Sequence, residues 1–262
     1  MKKISMLLSL ILIAILFSAC TNDNDPDYAE LLIGRWVNTM VNGREILTDD
    51  TFVMNLRSDN IQMYAIGLQE DENNKSWQEN SNYTYSVIGD TICIDGFAQG
   101  NTFHMKFEIQ SIDNSTISYT VPIFAINGDM IPDEKTYTCE KVTIDFSTEF
   151  TGIWYGRCTS PGTNDSLFHY WEYFADSTYN YYYQNENSKW IKKTDNEGQY
   201  FLYGQLMVSN YSYDHLSAGT GRAFECWNFN IDGNRMTWTG LRENNVTINY
   251  EMQKVESPPE TE

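Results

Sequence analysis

Leu32-Ile33-Gly34-Arg35-Trp36 and, further along the chain, Phe150-Thr151-Gly152-Ile153-Trp154 are two versions of one phrase. An apolar residue leads into Gly-x-Trp each time, and similar landmarks follow both copies in the same order. Asn74-Lys75-Ser76-Trp77 matches Asn187-Ser188-Lys189-Trp190, and Tyr85-Ser86-Val87-Ile88-Gly89 matches Tyr200-Phe201-Leu202-Tyr203-Gly204. The turn Ser111-Ile112-Asp113-Asn114 matches Asn230-Ile231-Asp232-Gly233, and Glu140-Lys141-Val142 closes the first copy as Gln253-Lys254-Val255 closes the second. Five landmarks in one order make this an internal duplication.

Between the landmarks the chain reads as strand. Runs of four to eight residues rich in Thr, Tyr, Val, Ile and Phe are separated by turn clusters such as Arg57-Ser58-Asp59-Asn60 and Ile231-Asp232-Gly233-Asn234. No amphipathic helical window stands out beyond the N-terminal leader. Short strands with short turns predict an all-β sandwich or barrel. The boundary between copies falls near Thr143 to Glu149. The spacing predicts one domain over 29–144, a second over 149–256, and a disordered tail over 257–262.

Gly-x-Trp on the first strand of an antiparallel unit resembles the lipocalin and calycin group. The fuller pattern, with an Asp-containing turn, a Trp and then a Tyr-x-apolar-x-Gly strand, resembles the lipocalin-like domains of Bacteroidetes lipoproteins. The resemblance spans residues 29–256, twice. It implies two tandem small up-and-down β-barrels, with Trp36 and Trp154 each closing one end. Both units are shorter than a typical secreted lipocalin, so a short barrel filled by its own side chains stands beside a hollow cup.

The N-terminus carries an address. Lys2 and Lys3 precede an apolar stretch from Ile4 to Phe17, then Phe17-Ser18-Ala19-Cys20. This is signal-peptide grammar, too short for a spanning helix. A cysteine after Ser-Ala resembles the bacterial lipobox, which implies lipidation (a palmitate-labelled anchor) at Cys20 once 1–20 is processed. Thr21 after the cysteine resembles outer-membrane sorting. Asp23, Asp25 and Asp27 in the acidic stretch 21–28 resemble the tether of cell-surface lipoproteins. The expected location is the outer membrane, facing periplasm or cell surface.

Charge narrows the partners. The chain has 17 basic and 36 acidic residues, a net charge of −19, and without Lys2 and Lys3 it becomes −21. Such a field disfavours nucleic acid and anionic surfaces, so membrane attachment falls to the lipid. Cys93, Cys139, Cys158 and Cys226 remain beyond the leader. An oxidising compartment permits the pairs Cys93–Cys139 and Cys158–Cys226, and buried free thiols stand equally open.

Strand parity separates the two interiors. In the first copy Phe52, Met54, Leu56, Ile61, Met63 and Ala65, beside Trp36 and Met40, read as a packed core. Alignment of Leu56 with Phe174 carries these positions to Tyr170, Glu172, Tyr179, Tyr181 and Tyr183 in the second copy. That predicts one carboxylate among phenols: either a small-ligand site, or a rim where Glu172 meets Arg157 or Arg222 and the tyrosines fill space. The opposite parity sends His169, Trp171, Tyr173 and Tyr182 outward, as an aromatic row for sugar or protein contact or for burial against the neighbouring domain. A single irregularity in the strand exchanges the two sets.

Catalytic grammar is sparse. His104, His169 and His215 are widely spaced, and no GxSxG, Walker, HExxH or dinucleotide motif occurs. Glu70 and Glu72 sit in a polar loop, and the Asp23–Asp27 stretch lacks the glycine and glutamate of a calcium loop. The sequence therefore predicts a non-catalytic protein with no cofactor and no metal. It would bind a small or glycan-like ligand through the second domain or the domain seam. The alternative is an accessory or inhibitor module that contacts an envelope protein through exposed aromatics.

Overall fold

The computed structural model describes residues 28–261, apart from 59, 66–67, 72–73, 78–79, 99, 163–166, 194–197 and 211–223. The leader, most of the tether and Cys20 lie outside the described residues. The chain is all-β. In the first half the main strands are β1 Gly34–Val41, β2 Phe52–Leu56, β3 Ile61–Ala65, β4 Asn80–Ile88, β5 Thr91–Ala98, β6 Asn101–Ile112, β7 Thr116–Ile126 and β8 Thr136–Lys141. The second half has β9 Gly152–Cys158, β10 Phe168–Tyr173, β11 Thr178–Gln184, β12 Gly198–Tyr203, β13 Leu206–Asn210, β14 Phe224–Asp232, β15 Arg235–Arg242 and β16 Val246–Val255.

Each strand from β9 to β15 pairs antiparallel with the next, and β16 returns to pair β9 through Ile153↔Val255 and its neighbours. The second half is thus a closed eight-stranded antiparallel barrel. The first half follows the same order of neighbours, with β8 beside β1. Its slack join is β3 to β4, held at Ile61↔Tyr83 and Met63↔Asn80 with a register shift between them. The segments Leu68–Asp71 and Asn74–Trp77 form a separate two-stranded sheet.

The Gly-x-Trp phrase acquires a physical meaning in both halves. A one-turn helix precedes each copy: α1 Tyr28–Leu32 and α2 Ser147–Phe150. Both are too short for helical periodicity to show in sequence. Trp36 and Trp154 are fully buried, and their indole N–H groups donate to Leu32 O and Phe150 O at 2.8 Å. The lysine that ends each half lies over that indole at 5.1 Å. It also caps the helix, Lys141 Nζ donating to Leu31 O and Lys254 Nζ to Glu149 O at 2.9 Å. Gly34 and Gly152 have φ of 139° and 124°, and a Cβ at either would come within 2.7 Å of the lysine Cε. Only glycine admits both that backbone and that close lysine stem. First strand, last strand and leading helix are tied at one point.

The first interior holds Trp36, Met54, Leu56 and Ile61 as the sequence predicts, with Phe52 packed against them. The Met63 and Ala65 side chains lie outside the described set. Tyr83, Phe107 and Tyr119 add aromatic bulk that the aliphatic reading does not contain. Met40 is corrected. A bulge between Asn38 and Met40 pairs Asn38 with the inward Cys139 but Met40 with Thr138, which turns Met40 to the outer face. The buried Asn38 amide holds the bulge by donating to Met40 O at 3.1 Å and Thr138 O at 3.0 Å.

The four cysteines are free thiols. Cys139 is fully buried inside the first half, and burial pushes its thiol up to about 12. Cys226 is buried on the outer face of β14, away from the barrel interior. The open alternative of buried thiols fits three of the four, and Cys93 is half-buried.

Candidate functional site

The wall formed by β10 and β11 decides which side chains the second interior receives. Its register pairs Trp171 with Tyr181 and Tyr173 with Tyr179, while Trp154 pairs with Trp171. Trp154, Trp171 and Tyr173 belong to the buried core, with Tyr179 and Tyr181 packed against it. The predicted faces of β10 are therefore exchanged. His169, Trp171 and Tyr173 point in, whereas Tyr170 and Glu172 point out. The reason is one residue of turn. Leu56 and Ile61 pair across residues 57–60, but Tyr173 and Tyr179 pair across 174–178. Leu56 thus corresponds to Tyr173, not Phe174, and an offset of one moves every side chain of a strand to its other face.

Tyr182 is on the predicted outer face but is only 5% exposed. Its hydroxyl donates to Glu172 Oε2 at 2.8 Å, and Asn180 Nδ2 donates to the same oxygen at 2.7 Å. Glu172 is thus neither a cup carboxylate nor paired to Arg157, whose guanidinium lies 5.1 Å over Phe168. Arg222 lies outside the described residues. Tyr155, Phe168, Tyr170 and Trp190 make a ladder of rings along this wall, with neighbouring centroids 4.5–4.8 Å apart. An outer aromatic row exists, built from the parity opposite to that expected.

The second interior does hold a carboxylate among phenols, though a different one. Glu225 shares its face of β14 with the core residues Trp227 and Phe229. Burial pushes its carboxyl up, and the Arg242 guanidinium opposes that shift. Burial also raises Tyr173 and Tyr179 well above the usual phenol range, with the nearby Glu225 adding to it. His169 Nδ1 lies 2.8 Å from the Tyr181 hydroxyl. His104 meets Asp95 at 2.6 Å on the exposed wall of the first half, and His215 lies outside the described residues. Phe150, Trp171, Tyr173, Tyr200, Trp227 and Trp238 fill much of the barrel with mutually touching rings.

An opening lies between the halves. Val53 on the outer face of β2 packs with Tyr203, Leu206, Val208 and Cys226, and Val37 and Val142 lie against the same cluster. The Tyr203 hydroxyl crosses to Met54 O at 2.7 Å. A 3-10 turn, Thr48–Asp50, wedges between β14 and β15 where their pairing ends at Asn228↔Thr239. There Cys226 N donates to Asp49 Oδ1 and Leu241 N to Thr48 Oγ1, both at 2.8 Å. These bonds replace strand-to-strand partners. Arg242 completes the join, lying 3.6 Å from Asp49, donating to Cys226 O and stacking 4.1 Å over Trp227.

Beside this join is a cleft of about 510 Å³. Val37, Thr39 and Met40 line it from β1, and Asn228, Thr237 and Thr239 line it from the second half. The bulge that turns Met40 outward helps shape the floor. Thr39 Oγ1 is buried there without a hydrogen-bond partner among the described residues. A polar wall of amides and hydroxyls thus faces a partly apolar floor, the usual form of a small-ligand site. The sequence points to the seam as one of two places but not to the residues that line this cleft, because its floor depends on the bulge and its walls on docking of the halves. Among the described residues no group of three or more His, Cys, Asp or Glu side chains is placed to hold a metal. No protein-family model matches the chain, and no curated protein matches it.

Proposed function

We propose that the chain is a non-catalytic envelope lipoprotein that binds a small, polar, glycan-like molecule in the cleft between its halves. The observation that carries this reading is the cleft itself, with amide and hydroxyl groups on one wall and Val37 and Met40 on the floor. Amides satisfy sugar hydroxyls in pairs, and apolar floors suit the C–H faces of sugar rings. The ring-filled second interior favours the seam over the cup. In this reading the two halves are tandem lipocalin-like barrels, a view supported by the shared strand order and by the Trp–Lys tie in each.

Calorimetry with a panel of neutral oligosaccharides tests the cleft. Asn228→Ala and Asn230→Ala, both at exposed lining positions, are expected to weaken any hit at least tenfold. Unchanged affinity in both would remove the cleft from the reading. Loss on Tyr170→Ala instead would favour the second reading, an accessory module docking a protein through Tyr155, Phe168, Tyr170 and Trp190. That alternative rests on Phe168, 38% exposed on strands the seam does not use.

Anchoring through Cys20 is proposed on the leader alone. Wild-type chain expressed in bacteria is expected to take up labelled palmitate and partition into detergent, and Cys20→Ala is not. Equal labelling of the two would overturn the anchor.

A further inference from the structure

We infer that the seam cleft selects ligands that carry a protonated amine. This rests on the cleft being the binding site and names the class of molecule it takes. The charged side chains lining it are Glu45, Glu140 and Lys141. Lys141 is engaged elsewhere: its ammonium donates to Leu31 O at 2.9 Å and lies over the Trp36 ring on the interior side of the sheet. Glu140 has the opposite parity on β8 and pairs with Val37, while Glu45 pairs with Met40. Both carboxylates are exposed and flank the apolar floor from either side of β1.

The flanking distance follows from sheet geometry. Neighbouring strands lie about 4.8 Å apart, so two strands across β1 set the two Cβ atoms on the order of 10 Å apart or more. One sugar unit can therefore lie over Val37 and Met40 with a carboxylate at each end. Across the cleft, Asn228, Asn230, Thr237 and Thr239 are neutral, so no cation of the second half offsets the two acids within the lining. Thr39 sits on the bulge between Val37 and Met40, and its buried hydroxyl oxygen has no hydrogen-bond partner among the described residues. The net charge of −19 adds a long-range field that draws cations and repels uronate-type sugars.

The test is calorimetry on the full mature chain with three probes: a glucosamine trimer, the same trimer N-acetylated, and a galacturonic acid trimer. The expected result is at least tenfold tighter binding of the amine trimer than of its acetylated form, weakening with added salt, and no binding of the uronate. Glu45→Gln with Glu140→Gln is expected to bring the amine trimer down to the acetylated level, with the circular dichroism spectrum unchanged. Equal binding of the amine and acetylated trimers would overturn the amine selectivity and leave the cleft standing. A preference that survives the double variant would also overturn it, because the amine would then be read elsewhere. If no probe binds, the cleft reading falls with it.

Discussion

Trp154→Ala is expected to destabilise the protein by about 3–5 kcal/mol, read as a lower urea midpoint at unchanged slope. Three losses coincide at this position. A fully buried indole leaves a cavity whose walls cannot collapse, because β9 is held by β10 on one side and β16 on the other. The Phe150 carbonyl loses its 2.8 Å donor at the end of α2. Lys254 loses the ring beneath its ammonium, and its stem faces the void. Trp36→Ala removes the same set from the first half and is expected to cost a similar amount. A change under about 1 kcal/mol in either variant would mean the site relaxes freely, against the rigid tie described here.

Asp49→Ala is expected to cost about 3 kcal/mol, through a different mechanism. The Asp49 side chain is 14% exposed and Arg242 is 20% exposed, so removing the acid takes the 3.6 Å counter-charge from a largely buried guanidinium and leaves it only the Glu225 carboxyl nearby. It also strands the Cys226 N–H that Asp49 accepts across the seam. Asp49→Asn separates the two contributions, since the amide oxygen still accepts from Cys226 N but carries no charge. Its expected effect is about half that of alanine. If both variants unfold like wild type, the wedge between β14 and β15 contributes no stability and the halves are held by the apolar cluster alone.

The sequence yields the repeat and the strand content because each is a local pattern, and it singles out Trp36 and Trp154, which are fully buried. The faces of β10 do not emerge, since they depend on whether the turn before β11 has four residues or five. That count is fixed only by pairing. Met40 escapes for the same reason, one bulge downstream of Trp36. Tyr179 and Tyr181 are assigned to the core side even so, because the longer turn cancels the offset by the time β11 begins. Glu225 is legible in the sequence: Phe224-Glu225-Cys226-Trp227-Asn228-Phe229 places the acid in step with two aromatics. The same stretch carries bulky apolar groups at Phe224 and Cys226 on the other parity, the mark of a strand covered on both faces. The seam was written there, without its partner.

The pairing of β9 with β16 has a consequence in time as well as in space. Ile153 meets Val255, so the first strand of the second half, paired with β10 on one side, has no partner for its other edge until β16 is available. Contacts of that sequence separation place the second half among slow-folding topologies, in the range of milliseconds to seconds. Until then β9 presents an unpaired edge, bearing Trp154, to any other chain. The first half meets its own last strand at Trp36↔Lys141, before the second half begins. A chain emerging N-terminus first can therefore complete one half while the other is still being delivered. The finished surface of β1 and β2 then waits as a template on which the later half docks.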